Sequence, residues 1–202
     1  MREIRELDRR ERCEVYRCVY REAFPPAELR PLASMEQMIA AGEYRMLGLY
    51  EDGEALAYAS LWQDGRYVLI DYLCVPKDKR SRGSGGELLR RLREVYPPES
   101  ILFGESEAPT GDPEADGMIL RRLAFYQRCG AVTLHYDTAL FGVHYKTLAF
   151  CDGTPPEAEI MAAHAGFYRR KLPGWIYRRV IRIPYDGGPL PKCEKWEENE
   201  DP

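Results

Sequence analysis

At 202 residues, with 45% apolar and 31% charged residues, the chain suits one domain, or one domain with an appendage, and its composition is not that of a disordered protein. Its formal net charge of −4 gives no global bias toward nucleic acid. No apolar run is long enough to cross a bilayer and residues 1–12 are charged rather than signal-like, so a cytoplasmic protein with no membrane partner is expected.

Asp8 can cap a helix running to about Phe24, with Val15, Tyr16, Val19, Tyr20 and Phe24 as its apolar stripe and Pro25-Pro26 as its stop. Ser34 and Gln37 have capping-box spacing for a short helix ending near Gly42. A strand is expected at Tyr44–Tyr50, a hairpin turn at Glu51-Asp52-Gly53-Glu54, and a returning strand at Ala55–Gln63. After Asp64-Gly65 a third strand covers Arg66–Val75. Pro76–Gly86 is a polar, glycine-rich loop, and Glu87–Tyr96 is a helix with Leu88, Leu89 and Leu92 inward. Ser100–Ser106 is a further strand. Strand, loop, helix and strand in this order make a crossover unit, which joins parallel neighbours.

Ala108–Asp116 reads as a mobile, acidic loop, and Met118–Arg128 as a helix closed by Gly130. Strands are expected at Ala131–Leu140 and Tyr145–Phe150. Pro155–Leu172 has Ile160, His164, Phe167 and Tyr168 at helical spacing, and Gly174–Ile183 is expected to be a last strand. The tail from Lys192 is acidic and expected to fray. The cysteines at 13, 18, 74, 129, 151 and 193 form no C-x-x-C pair and point to free, mostly buried thiols. The histidines at 135, 144 and 164 are scattered, so no metal site is expected.

The chemistry concentrates between Lys77 and Arg93. The basic residues there are Lys77, Lys79, Arg80, Arg82, Arg90, Arg91 and Arg93, opposed only by Asp78 and Glu87. Glycines 83, 85 and 86 let main-chain N–H groups converge without a Cβ in the way, just where a helix begins with its dipole and unpaired donors. That combination suits a phosphate or pyrophosphate, with Arg80 and Arg82 adding charge-assisted bonds. The G-K-[ST] ending of a P-loop and the G-x-G-x-x-G dinucleotide fingerprint are both absent.

The stretch Asp71-Tyr-Leu-Cys-Val75-Pro-x-x-x-Arg80-x-x-Gly83-x-Gly85-Gly86-x-Leu88-Leu89 resembles the acetyl-CoA motif of the GNAT acetyltransferases. Arg122-Leu-Ala-Phe125-Tyr126-Gln-Arg-Cys-Gly130-Ala131 resembles the same family's second signature. The likeness covers roughly residues 10–150, including the Phe24-Pro25 ending of the first helix. It departs at Ser81, often Gly in the family, and at Ser84, often apolar.

The resemblance implies an α/β (α+β) fold with a mixed, mostly antiparallel central sheet, a splayed strand pair and flanking helices. It divides the chain into a GNAT domain at 1–150, a C-terminal helix–strand extension at 151–191 and the tail at 192–202. It also implies direct acetyl transfer from acetyl-CoA to a primary amine, by a monomer or homodimer with no metal and no nucleic acid. Main-chain groups of Leu73, Cys74 and Val75 would hold the pantetheine arm, and Arg80, Ser81, Arg82, Gly83, Ser84, Gly85 and Gly86 the pyrophosphate.

Tyr126 matches the family's general acid and borders the same ligand. A base is also required. Glu105 is the first candidate and Asp71 the second, followed by Glu107 and His135, while Cys74 lacks a base partner and is disfavoured as a nucleophile. The acidic residues Glu107, Asp112, Glu114 and Asp116 would favour a cationic acceptor such as a polyamine, an amino sugar, an amino-acid derivative or a protein amine. Two rival classes are a catalytically silent acetyl-CoA-binding module and a nucleotide-binding protein using the same loop.

Overall fold

The computed structural model describes residues 1–26 and 28–191. The acidic tail from Lys192, with Cys193, lies outside the described residues. Among the described residues two compact units are present, one built from Met1–Gln63 and Ile70–Pro98, the other from Asp64–Leu69 and residues 99–191.

The first unit contains β1 (Arg2–Glu6), α1 (Arg9–Val15), a π-helical segment (Tyr16–Tyr20), α2 (Arg21–Ala23), α3 (Leu32–Ala40), β2 (Tyr44–Glu51), most of β3 (Glu54–Asp64), the end of β4 (Tyr67–Cys74) and α4 (Ser84–Val95). Its strands follow the order β1-β2-β3-β4. Asp8 starts α1 through a reciprocal capping box: its Oδ1 accepts from the Glu11 N–H at 2.8 Å, and Glu11 Oε2 accepts from the Asp8 N–H at 2.9 Å. The stripe that follows buries Val15, Tyr16 and Tyr20. The Tyr20 ring packs against Phe24 and Tyr72, with its hydroxyl 2.8 Å from Ser60 Oγ.

The β2–β3 hairpin turns on Asp52 at φ 51° and Gly53 at φ 84°. Two successive positive φ values match the right-handed twist of the flanking strands, and Gly accepts them without strain. One expectation for this unit needs correction, and one strand was not foreseen. The Ser34–Gln37 pair caps nothing, since Pro31 occupies the N-cap of α3 and Ser34 lies inside the helix. In addition, the charged start of the chain is an edge strand, paired antiparallel with β2 from Arg2↔Glu51 to Glu6↔Leu47.

The second unit contains the first residues of β4, then β5 (Ile101–Glu107), α5 (Pro113–Arg128), β6 (Val132–Leu140), β7 (Val143–Phe150), α6 (Glu157–Lys171), α7 (Gly174–Val180) and β8 (Ile181–Tyr185). The strand order is β4-β5-β7-β6-β8. The Ile101 N–H donates to the Arg66 carbonyl at 2.8 Å, tying β5 to the start of β4 as the sheet's parallel pair. The pairs β5–β7, β7–β6 and β6–β8 are antiparallel.

Here too the structure differs from expectation. The helix expected from Met118 begins at Pro113, with Asp112 as N-cap accepting from the Glu114 N–H at 3.0 Å. Asp116 is not on a mobile loop. Its buried carboxylate, in the first turn of α5, accepts from the Thr110 N–H at 2.7 Å and the Gly111 N–H at 2.9 Å. These bonds pin the short 108–112 connection and hold the Asp116 carboxyl below the ordinary carboxylate range. The strand expected at Gly174–Ile183 is the helix α7 followed by β8. Pro173 precedes the helix, and β8 pairs with β6.

Cys13, Cys18, Cys74, Cys129 and Cys151 are free thiols, but they are not mostly buried as expected: Cys74 is buried, Cys13, Cys129 and Cys151 are half-buried, and Cys18 is exposed. Among the described residues, no helix is long and apolar enough to cross a membrane.

Candidate active site

The basic loop is held in shape by local ties. After Pro76 the chain makes one 3-10 turn, Lys77–Lys79, and the Arg80 side chain folds back so that Nε donates to the Val75 carbonyl at 3.1 Å. Ser81 (φ 66°) and Gly83 (φ 79°) then take left-handed conformations, and Gly83 is the N-cap of α4. Position 83 therefore favours Gly on backbone grounds. Helix α4 begins three residues earlier than expected, so Ser84, Gly85 and Gly86 form its first turn. Glu87 is the first residue with an N–H bound back within it, to the Gly83 carbonyl at 3.0 Å. The helix itself thus leaves over the amides of residues 84–86.

Ser84 sharpens this site. It is 2% exposed, and its Oγ is buried with no hydrogen-bond partner among the described residues. An orphaned buried hydroxyl costs about 1–3 kcal/mol. Several of the cations nearby are already paired: Lys77 with Glu22, Lys79 with Glu54, and Arg91 with Glu87. The exposed guanidinium groups of Arg80 and Arg82 remain. The loop therefore offers donors and positive charge.

Just upstream, Asp71 is enclosed. Its Oδ2 accepts from Tyr44 Oη at 2.6 Å and from Arg30 Nε at 3.1 Å. Burial pushes the Tyr44 phenol well above the ordinary tyrosine range, so it holds its proton and donates it. The Arg30 guanidinium also lies 4.6 Å from the Trp62 ring centre, and the Arg30 N–H donates to Tyr72 Oη at 2.7 Å. Sequence reasoning missed Arg30, which sits in a proline-flanked connection with no pattern to mark it. Leu73 and Val75 are half-buried at the end of β4, and Cys74 is buried between them. Burial pushes the Cys74 thiol up to about 11.

The remaining candidates are in the second unit. Tyr126 is half-buried on α5, with its ring centre 5.2 Å from Phe125 and 6.4 Å from Phe150. Glu107 is paired with Arg122 at 3.0 Å. His135 is a surface residue: its main-chain N–H and Nδ1 both meet Glu157, at 2.9 and 2.7 Å.

Glu105 is the most heavily bonded of the candidate carboxylates. Its Oε1 lies 2.7 Å from His164 Nε2 and 3.4 Å from Thr138 Oγ1, and its Oε2 accepts from Tyr168 Oη at 3.1 Å. The side chain is still 15% exposed. His164 and Tyr168 were legible in the sequence as members of a helical stripe, not as site residues. The available signal was a polar pair at i, i+4 within an otherwise apolar face.

Residues 10–101 match the family model described as "Acetyltransferase (GNAT) domain". Over those residues the chain is similar to a GNAT acetyltransferase domain. A stretch of 108 residues is 29% identical to "Putative acetyltransferase YjbC" of Bacillus subtilis (strain 168), covering 53% of this chain and about half, 51%, of that relative's length. The fold is similar to that of a GNAT-family protein from Bacteroides thetaiotaomicron, with a TM-score of 0.66 at 17% identity over 80% of this chain and 94% of that one. It is also similar to the ribosomal-protein-S18-alanine N-acetyltransferase from Escherichia coli, with a TM-score of 0.51 at 16% identity over 77% and 98% of the two chains. At these identities the structural likenesses establish the mixed, mostly antiparallel α/β fold.

The residues at the start of α4 have the donors that a diphosphate, such as that of acetyl-CoA, requires. The leftover amides of 84–86, the orphaned hydroxyl of Ser84 and the arginines at 80 and 82 are all donors. A bound diphosphate would satisfy the Ser84 hydroxyl that the described residues leave unbonded. The two sequence departures, Ser81 and Ser84, leave this arrangement intact.

Proposed function

We propose that the protein is an N-acetyltransferase that moves the acetyl group of acetyl-CoA directly to a primary amine of a small molecule or a protein. The observation that carries this reading is the unpartnered, buried Ser84 hydroxyl in the first turn of α4, behind the left-handed Ser81–Gly83 loop. Acetyl-CoA supplies an activated thioester. Ser81–Gly86 and the arginines at 80 and 82 bind its diphosphate, and main-chain groups of Leu73, Cys74 and Val75 orient its pantetheine arm.

Tyr126 Oη holds the proton that the departing sulfur takes, since a phenol keeps its proton at neutral pH yet is close in acidity to a thiol. Glu105 receives the proton of the acceptor ammonium, directly or through water. A carboxylate has about four lone-pair sites. Three of those on Glu105 are filled by His164, Thr138 and Tyr168, which leaves one on Oε2 of a partly exposed side chain. Asp71 acts instead as a structural tie to Arg30 and Tyr44. Cys74 keeps its proton and stays outside the reaction.

A cationic acceptor class no longer leans on the 107–116 segment, where Glu107 is paired with Arg122 and Asp116 is spent on the loop. It rests on Glu105. The test is thiol release from acetyl-CoA with spermidine, glucosamine, an amino-acid amide and a peptide with a free N-terminus. Amine-dependent release supports the transferase. Tight acetyl-CoA binding without release by any of them supports a silent binding module.

A further inference from the structure

We propose that His164, on α6 of the C-terminal segment, is a positioning residue for Glu105: it fixes the rotamer of that carboxylate and aims its one open lone pair. The inference rests on the acceptor-side role given to Glu105 above.

His164 has no solvent exposure. Its Nε2 faces Glu105 Oε1 at 2.7 Å and its Nδ1 faces Tyr136 Oη at 3.2 Å. An ionised carboxylate only accepts, so Nε2 carries a proton. Burial raises the Tyr136 phenol above its ordinary range, so that hydroxyl keeps its proton and can donate to Nδ1. The result is a directed chain, Tyr136 Oη–H to His164 Nδ1, then His164 Nε2–H to Glu105 Oε1. It sets one tautomer without needing a charge on the ring. Phe103, with its ring centre 5.0 Å from the imidazole at 67°, packs edge-on and restricts ring rotation.

The second tie comes from the same helix. Tyr168 follows His164 by four residues, so both side chains leave α6 on one face, one turn apart. They take one carboxylate oxygen each. Two bonds from one helix fix the plane of the carboxylate as a single bond would not. β5 supplies Glu105 and pairs with β7, yet the orientation of the charge is decided by a helix beyond Phe150. The C-terminal segment, by this account, completes the acceptor-side carboxylate.

The test compares His164→Leu, His164→Gln and Glu105→Gln in steady state, using the panel amine with the highest turnover. Leu removes the donor, and Gln places an amide N–H close to the position of Nε2. Losing a hydrogen bond to a charged group is expected to lower kcat about 10- to 100-fold. KM for acetyl-CoA should stay within about twofold, as expected for an interaction away from the donor. His164→Gln should recover most of the rate.

Wild-type turnover in His164→Leu with a crippled Glu105→Gln would overturn the positioning role alone. Wild-type turnover in Glu105→Gln would overturn the role of Glu105 and this inference with it, while failure of the wild type to release thiol with any amine would contradict the transferase reading first. If His164→Leu does not fold, His164→Gln and the wild type still decide. A folded His164→Gln with turnover lost as fully as in Glu105→Gln would count against the donor role. Nitrogen-15 spectra of the wild type should show a protonated Nε2 and an unprotonated Nδ1, and the opposite tautomer would overturn the chain of donors.

Discussion

The Arg30 guanidinium lies 3.1 Å from Asp71 Oδ2, and Arg30 is only 2% exposed. A buried charge that loses its carboxylate partner is costly, because the interior supplies little solvation. Asp71→Asn should therefore destabilise the protein by about 3–5 kcal/mol. Replacing both groups with apolar residues, Arg30→Met with Asp71→Leu, should recover part of that loss. Urea unfolding of the single and double variants checks this. A single variant as stable as wild type would show that Asp71 does not need Arg30.

Cys74 is buried, and its thiol is pushed up to about 11. At neutral pH it stays protonated, and the thiol is a poor nucleophile compared with the thiolate. Cys74→Ala should keep turnover within about threefold of wild type, the cost being the packing of one small side chain. Exposed Cys18 should react with iodoacetamide faster than Cys74. Mass spectrometry of the modified peptides and a kinetic assay decide both points.

Tyr126→Phe removes one hydroxyl and leaves the ring contacts with Phe125 and Phe150 in place. General acid catalysis contributes about 10²–10⁴-fold. The variant should lose kcat by about that factor while binding acetyl-CoA within about twofold of wild type. Unchanged turnover would remove Tyr126 from the mechanism.

Glu11 links acid stability to the first helix. Two bonds from Arg5, at 2.6 and 2.8 Å, hold its carboxyl down from 4.5 to about 2. A carboxyl with a depressed folded value stabilises the fold above its unfolded value, and that contribution is lost as pH falls. The Tm difference between wild type and Glu11→Gln should thus be full at pH 6 and shrink between about pH 4.5 and 2. A difference independent of pH would contradict the role of the Arg5–Glu11 pair.

What the sequence disclosed follows from the range of the interactions involved. Asp52-Gly53 was legible because a two-residue turn with positive φ values selects those residues locally. The Asp8 cap and the glycine-rich connection after Pro76 are equally local, although the helix that follows takes in residues 84–86 as well. The strand at Arg2–Glu6 was hidden because Ile4 is its only large apolar residue and its partner lies beyond position 45. Trp175, Ile176 and Tyr177 suit strands by propensity, yet the chain there turns helical just after Pro173.

The surroundings of Asp71 and Glu105 were out of reach for a similar reason. Arg30 and His164 come from 41 and 59 residues away, and neither stands in a pattern that points to its partner. Asp116 shows the converse error. An acidic run looks solvated until the amides it binds are known.

The most direct test of the central claim is calorimetric titration of acetyl-CoA into the wild-type protein, Ser84→Ala and Arg82→Ala. The account predicts one site per chain, with ATP failing to compete. It also predicts affinity about 2- to 10-fold weaker for Ser84→Ala and about 10- to 100-fold weaker for Arg82→Ala. Without ligand, the Tm of Ser84→Ala should not fall, because the lost hydroxyl has no partner among the described residues. No acetyl-CoA binding, or the same affinity in all three proteins, would contradict a diphosphate site at Arg80–Gly86.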